Sequence, residues 1–489
     1  MSLFATKPLE TIVAESTGDH SLKRTLTASQ LVALGIGAII GAGLFSLTGI
    51  AAAHHAGPAV TLSFVLAAFG CAFAGLCYSE FSTMIPIAGS AYTYSYATMG
   101  EFMAWIIGWD LVLEYAVGAA TVAVSWSRYV VSLCHDFGIE LPAEWVNSPF
   151  VQLPGGGAPL INLPAIIVVA MMSTLLIVGI QESARVNTII VFLKVTVVIL
   201  FICFGWAYIN KDNYVPYIPP NTGVSGQFGF SGVLRAAGVV FFAFIGFDAV
   251  STAAQEAKNP QRDMPIGIIG SLVVCTILYV LFAHVLTGIV PFKLLDDAAP
   301  VAIAVDRTPY TWLKTAIKLA IIAGYTSVIL VMLLGQSRVF YSMSRDGLLP
   351  KLFSDLHPKY RTPYKSNLLF MVFVALFAAL APIQIVGEMT SIGTLFAFVL
   401  VSAGILVMRK THPNLPRPFK TPLVPLVPIL GILANLALMF GLGWENWMRL
   451  FVWMALGFVV FFAYSRSHSH LGKANAGLPG SHGGPPPAK

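Results

Sequence analysis

The sequence predicts an all-α membrane protein of about twelve transmembrane helices, and three observations carry that expectation. Charged residues make up 10% of the 489-residue chain and hydrophobic ones 57%, with a mean hydropathy of +0.79. A soluble chain of this length needs far more polar surface. Apolar runs recur along most of its length, each near the ~20 residues that cross hydrocarbon as a helix. Two of those runs carry glycine or acid at mid-span, where a simple apolar helix has neither.

The spans read from hydropathy cover about 30–53, 58–85, 102–134, 161–180, 187–209, 232–256, 266–291, 313–344, 366–381, 384–408, 423–443 and 447–464. The first 28 or so residues are polar and lack the short apolar region of a cleavable signal. Basic residues gather in alternate loops. Arg338, Arg345, Lys351, Lys359, Arg361 and Lys365 follow the eighth span, and Arg409, Lys410, Arg417 and Lys420 follow the tenth. Both loops lie on the side of the N-terminus, so the positive-inside rule puts both termini in the cytoplasm of a multi-pass cell-membrane protein. The loop with Lys293, Arg307, Lys314 and Lys318 runs against that trend, but Asp296, Asp297 and Asp306 accompany it. From about residue 466 the chain is rich in Gly, Pro and Ser, which predicts a disordered cytoplasmic tail.

The same distribution argues against nucleic acid as partner, because the formal charge of +6 forms no basic stripe or tail. The five cysteines lie in or beside apolar stretches without a CxxC pair, so they read as small buried hydrophobes. No metal cluster or cofactor fingerprint is present, and none is expected.

The first span contains Gly35, Gly37, Gly41 and Gly43 within nine residues. Each costs a continuous helix about 1 kcal/mol relative to alanine. Two readings stand side by side. Small residues let helices approach closely, or the helix unwinds at Gly41-Ala42-Gly43 and offers backbone groups to a ligand. A dinucleotide fingerprint is excluded by the G-x-G-x-x-x-G spacing and the lack of a preceding strand. In the sixth span Gly246 sits mid-helix and Asp248 follows two residues later. If the chain is two five-helix halves, spans one and six correspond, and paired interruptions point to a transporter site. Half-helix N-termini offer N–H groups to an anion and unwound carbonyls accept from a cation. A zwitterionic amino acid needs both.

Other spans carry charge at depth. Asp110 and Glu114 lie one turn apart on the third, where two carboxylates are mutually unfavourable unless a cation or proton intervenes. Glu114, the deeper one, is the candidate for a substrate amine or a proton. Lys194 lies too far inside the fifth span to reach water easily, and it is the candidate proton carrier or a fixed structural cation. Phe242, four residues before Gly246, is the candidate gate over the ligand.

These segments resemble the cationic amino acid transporters of the amino acid–polyamine–organocation superfamily. The resemblance rests on Gly35 to Phe45 with the preceding Leu-Lys-Arg-Thr-Leu, on residues 108–115, on 244–265 and on 337–350. It implies a leucine-transporter-like fold, a 5+5 inverted repeat with interrupted helices 1 and 6. The implied layout is an N-terminal segment over 1–28, a ten-helix transport core over 29–410, two peripheral helices over 411–465 and the tail over 466–489. It implies that the substrate carboxylate meets the N–H groups of Ala42 and Gly43, and its amine the carbonyls of Ile39, Phe242 and Ile245. Ile40, Gly41, Ala243, Glu114 and Asp248 complete the implied pocket. Lys194 matches the lysine that, in proton-coupled relatives, sits near the carbonyls of Gly37 and Ile40. Many relatives have a serine or threonine where this chain has Ala42, so a hydroxyl contact to the carboxylate is missing.

The expected activity is amino acid import by alternating access with proton symport, and the alternative is exchange of amino acids or polyamines without proton drive. A channel is disfavoured by the interrupted spans and the lack of a filter-like loop. An enzyme is disfavoured by the lack of a nucleophile–base set. Expected partners are an L-amino acid, protons and lipid; a small accessory membrane subunit has no signature in the sequence.

Overall fold

The computed structural model describes residues 4–8, 26–85, 90–151, 159–179, 184–252, 254 and 257–475. Most of the N-terminal segment and residues 476–489 lie outside the described residues.

The first helix, α1 (Ala28–Ile39), opens with a capping box in which the Thr27 N–H donates to Gln30 Oε1 at 2.9 Å. After a break the chain resumes as α2 (43–56), built of π, α and π turns. Then come α3 (Val60–Met84), the short α4 (Ser90–Thr98), α5 (Glu101–Asp136), α6 (Leu163–Val178) and α7 (Ala184–Gly205). The second half repeats the scheme. It has α8 (Gly229–Val240), a 3₁₀ turn (Phe241–Phe244), the short α9 (Ala249–Thr252) and α10 (Pro260–Ile289). The short α11 (Pro300–Asp306), α12 (Thr311–Arg345), α13 (Tyr364–Leu380) and α14 (Ile383–Thr411) complete it. Two further helices, α15 (Leu426–Gly441) and α16 (Trp444–Val460), pack outside this core. Proline at the first turns of α6, α10 and α11 removes an N–H that has no helical partner there.

Seven helical stretches are long and apolar enough to cross a membrane, the first being Gly43–Met84, which joins α2 to α3, and five shorter apolar helices accompany them. With α1 and α2 taken as one interrupted span, the pathway has the twelve crossings expected. The contacts sort the core into two groups. Helix α10 packs on α3 and α1, and α8 on α3, while α12 packs on α5, and α13 and α12 on α6. Each half therefore contributes to both groups, which is the interlocking of a leucine-transporter-like inverted repeat.

Two expectations need correction. The tail expected to be disordered from 466 continues as helix over Arg466–His468 and His470–Asn475. It is held because Ser469 donates to Glu101, the His470 N–H to the Asp346 carbonyl at 3.1 Å, and Ser465 Oγ to the Leu348 carbonyl at 2.6 Å. On the same face Lys7 Nζ pairs with Asp346 at 3.0 Å. The cysteines are all free, and Cys71, Cys77 and Cys275 are buried, but Cys134 is half-buried and Cys203 exposed on an apolar helix flank.

Charged groups that leave water are saturated at the ends of the bundle. Glu80 receives two bonds of 2.9 Å from Arg409 and the Thr421 N–H at 2.7 Å. Lys318, 0% exposed, pairs with Asp136 at 2.6 Å and Asp306 at 3.4 Å. Such pairing is the condition for burying an ion.

Candidate functional site

The site forms where α1 and the 3₁₀ turn after α8 stop. Helix α1 ends because Ile40 turns extended, with φ −70° and ψ 110°, its N–H still bonded to the Ile36 carbonyl at 3.0 Å. The next turn starts at Gly41, whose carbonyl accepts from Leu44 and Phe45 at 3.1 and 3.2 Å. The N–H groups of Gly41, Ala42 and Gly43 thus stand at the head of α2, where backbone dipoles favour an anion. In the second half Phe241–Phe244 tighten to 3₁₀, Ile245 is extended with ψ 133°, and Gly246 takes φ +115°.

The two breaks touch. A Cβ on Gly43 would stand 2.2 Å from the Ala243 Cα, and one on Gly246 would stand 2.8 Å from the Ala38 carbonyl oxygen. Gly35 and Gly37 play a different part, since a Cβ there would overlap Ser271 and Val191 side chains. Both readings of the glycine run are therefore correct at different positions: Gly35, Gly37 and Gly43 serve close packing, and the chain unwinds between Ile39 and Ala42.

Carbonyls released by the breaks find partners from neighbouring helices. Lys194 Nζ, 2% exposed, donates to the Gly37 carbonyl at 2.9 Å. Tyr279 donates to the Ala243 carbonyl at 2.9 Å, Thr48 to that of Gly43 at 3.1 Å and Tyr129 to that of Phe45 at 2.6 Å. The Phe242 carbonyl, expected to face a substrate amine, already accepts the Ile245 N–H at 3.2 Å. One lone pair remains to it.

Glu114 lies in a π turn, Leu113–Val117, inside α5. Such turns recur at functional positions because they re-aim one side chain. Its carboxyl faces Asp248 and Thr394, with Asp110 one turn back. Tyr115 donates to Asp248 Oδ2 at 3.4 Å. Two carboxyls facing one another repel unless a proton or cation stands between them. Asp110 is buried without a hydrogen-bond partner on either oxygen, beside Gly393 of α14. Gln336 of α12 is buried with both side-chain polar atoms unpartnered. The ring pairs Tyr78–Phe247, Phe241–Phe398 and Phe247–Phe398 lie around the Gly246 break, and Phe45, Phe282, Tyr129 and Tyr325 around the head of α2.

Ile39, Ile40, Ala42, Phe242, Ala243, Ile245 and Asp248 are all buried at this junction, as the sequence suggested. Sequence reasoning missed Tyr279, Thr394, Gln336 and Gly324. A Cβ on Gly324 would stand 2.8 Å from Lys194 Cε, so that glycine makes room for the lysine stem.

Residues 26–461 match the amino acid permease family. The chain is 47% identical over 471 residues to a Bacillus subtilis branched-chain amino acid permease, BcaP, covering 96% of this chain and 99% of that one. It is 43% identical over 472 residues to a B. subtilis methylthioribose transporter, covering 96% and 100%. To the vacuolar cationic amino acid transporter 4 of Arabidopsis thaliana it is 36% identical over 416 residues, covering 84% and 68%. Together with the interlocked repeats and their paired breaks, these matches make the chain a transporter rather than an enzyme, a member of the amino acid permease family within the amino acid–polyamine–organocation superfamily.

Proposed function

We propose that the protein imports neutral α-amino acids across the cell membrane by alternating access coupled to protons, with both termini in the cytoplasm. The observation that carries this reading is the contact of the two breaks, beside which Lys194 holds the Gly37 carbonyl at 2.9 Å. A substrate carboxylate would sit at the Ala42 and Gly43 N–H groups and its ammonium at the carbonyls of Ile39, Phe242 and Ile245. Ile40, Gly41 and Ala243 complete the backbone cradle, and Phe242 closes over it. A neutral aliphatic side chain suits the walls of Ile39, Ile40 and Ile245 and accords with the relative named a branched-chain amino acid permease.

In this reading protonated Lys194 anchors α1 through Gly37, and deprotonation releases it, so that proton movement and the tilt of α1 are one event. Glu114 and Asp248 face each other close by and offer a second place for a proton. Loops rich in arginine and lysine on the face of the termini support the orientation.

Uptake of labelled leucine, alanine and arginine into proteoliposomes, with and without an inward proton gradient, tests the whole reading. Leucine or alanine should accumulate only with the gradient, and Lys194→Ala should abolish that drive while retaining binding. Full pH dependence in Lys194→Ala would sink the coupling role. Accumulation that requires internal amino acid instead would identify an exchanger.

A second reading comes from the relative named a methylthioribose transporter. Such a sugar has neither carboxylate nor ammonium to engage the N–H head of α2 and the opposed carbonyls. Methylthioribose uptake that leucine fails to inhibit would favour it.

A further inference from the structure

On the face away from the termini, the outer ends of the two interrupted helices are joined at His55. The Phe228 N–H donates to the His55 carbonyl at 2.9 Å, and His55 Nδ1 lies 2.8 Å from the Gly226 carbonyl. A carbonyl only accepts, so Nδ1 carries the proton and Nε2 presents a lone pair. His55 is 4% exposed, and Nε2 is buried without a hydrogen-bond partner.

Beside this joint lies a cavity of about 430 Å³, within the size range of small-molecule sites. Its lining includes His55, Gln227, Arg235, Gln384 and Glu445. Arg235 Nε is also buried and unpartnered, and the nearest approach of its guanidinium to Glu388 is 3.7 Å, too long for a hydrogen bond. Glu445, 79% exposed, stands at the rim. The wall thus holds an unfilled cationic donor, an unfilled neutral acceptor and an outer carboxylate. Leaving such groups unfilled is costly.

The chemistry selects a ligand class. A simple anion would gain from Arg235 but meet the His55 lone pair and Glu445. A simple cation would meet Arg235. A metal ion finds no group of three histidine, cysteine or acidic ligands among the described residues. An α-amino acid zwitterion satisfies all three features, with carboxylate on Arg235 and ammonium toward His55 and Glu445. We propose that this cavity is a second, outer amino acid site, seated on the joint that carries both interrupted helices. The assignment of the ligand as the transported substrate rests on the function proposed above.

The test is the number of labelled L-leucine molecules bound per chain of full-length protein in lipid nanodiscs. Ser225 lines the mouth and is exposed, so Ser225→Trp obstructs the cavity without entering the core. Two leucines per wild-type chain and one per Ser225→Trp chain are expected. Arg235→Lys, which keeps the charge but loses the Nε donor, should weaken one of the two sites roughly tenfold and spare the other. Isovalerate and isoamylamine, each with one of the two charges, should compete at that site at least tenfold less well than leucine. One leucine in the wild type that Ser225→Trp leaves in place, or none, overturns the outer site. One leucine that Ser225→Trp removes keeps the outer site and overturns the central one.

Discussion

The two interrupted helices reach the same end by different means. The first carries four glycines and breaks at a residue, Ile40, with an ordinary negative φ. The second carries one glycine at its break and needs it, because Gly246 holds φ +115° with the Ala38 carbonyl pressed against its missing side chain. Glycine richness in α1 and α2 therefore marks close helix contact more than conformational freedom, whereas the lone Gly246 is conformational. What unwinds α1 is the supply of outside partners for its freed groups, with Lys194 on the Gly37 carbonyl foremost.

That contrast ranks the effects of substitution. Gly246→Ala should be the most damaging. The backbone conformation alone costs a non-glycine residue roughly 1–3 kcal/mol, and the Cβ would press on Ala38 from 2.8 Å. Uptake should fall by more than about tenfold, the equivalent of 1.4 kcal/mol. Reconstituted Gly246→Ala with wild-type uptake would show that the second break does not depend on glycine. Gly43→Ala follows, because its Cβ would meet Ala243 backbone at 2.2 Å and push the two breaks apart. The measurement is again uptake per folded protein, with elution as a single monodisperse species as the check on folding.

Gly324→Ala should act next, through Lys194. Its Cβ would stand 2.8 Å from the flexible lysine stem, so the lysine shifts and its 2.9 Å bond to Gly37 loosens. A fall in uptake of roughly threefold to tenfold is expected, with a changed pH profile. In Lys194→Ala, adding Gly324→Ala should cost nothing more, since both act on one contact. Independent losses in that double-mutant cycle would detach Gly324 from the lysine.

The sequence made the spans legible because hydrocarbon thickness imposes a length that composition alone reveals. It made the breaks legible because glycine and buried charge are costly there, and it pointed to Lys194, Glu114 and Asp248 for the same reason. Thr394 and Gln336 were hidden because one polar residue in an apolar helix is ordinary. Thr394 even donates to the Thr390 carbonyl at 3.0 Å, as a helical threonine does. Tyr279 and Gly324 matter through neighbours distant in sequence, and no local pattern announces that. The π turn at Glu114 also has no composition signal. The helical end over Arg466–Asn475 was concealed by the low-complexity residues after it, although Ser469 and Ser465 hold it to the bundle.

The smallest effect falls on the glycine that seemed most tied to the break. Gly41 has a negative or otherwise ordinary φ, being absent from the positive-φ glycines. The nearest atom to a Cβ there is a Val328 methyl at 3.6 Å, an ordinary van der Waals contact. Alanine also loses less chain entropy on folding than glycine, which offsets part of any loss of fit. Gly41→Ala should therefore fold normally, change stability by less than about 1 kcal/mol, and lower uptake by less than roughly twofold. A thermal unfolding shift and leucine uptake on the same preparation measure both. A collapse of uptake with stability intact would mean that the substrate itself lies against Gly41, and the head of α2 would then be read as shaped by the ligand rather than by its helix neighbours.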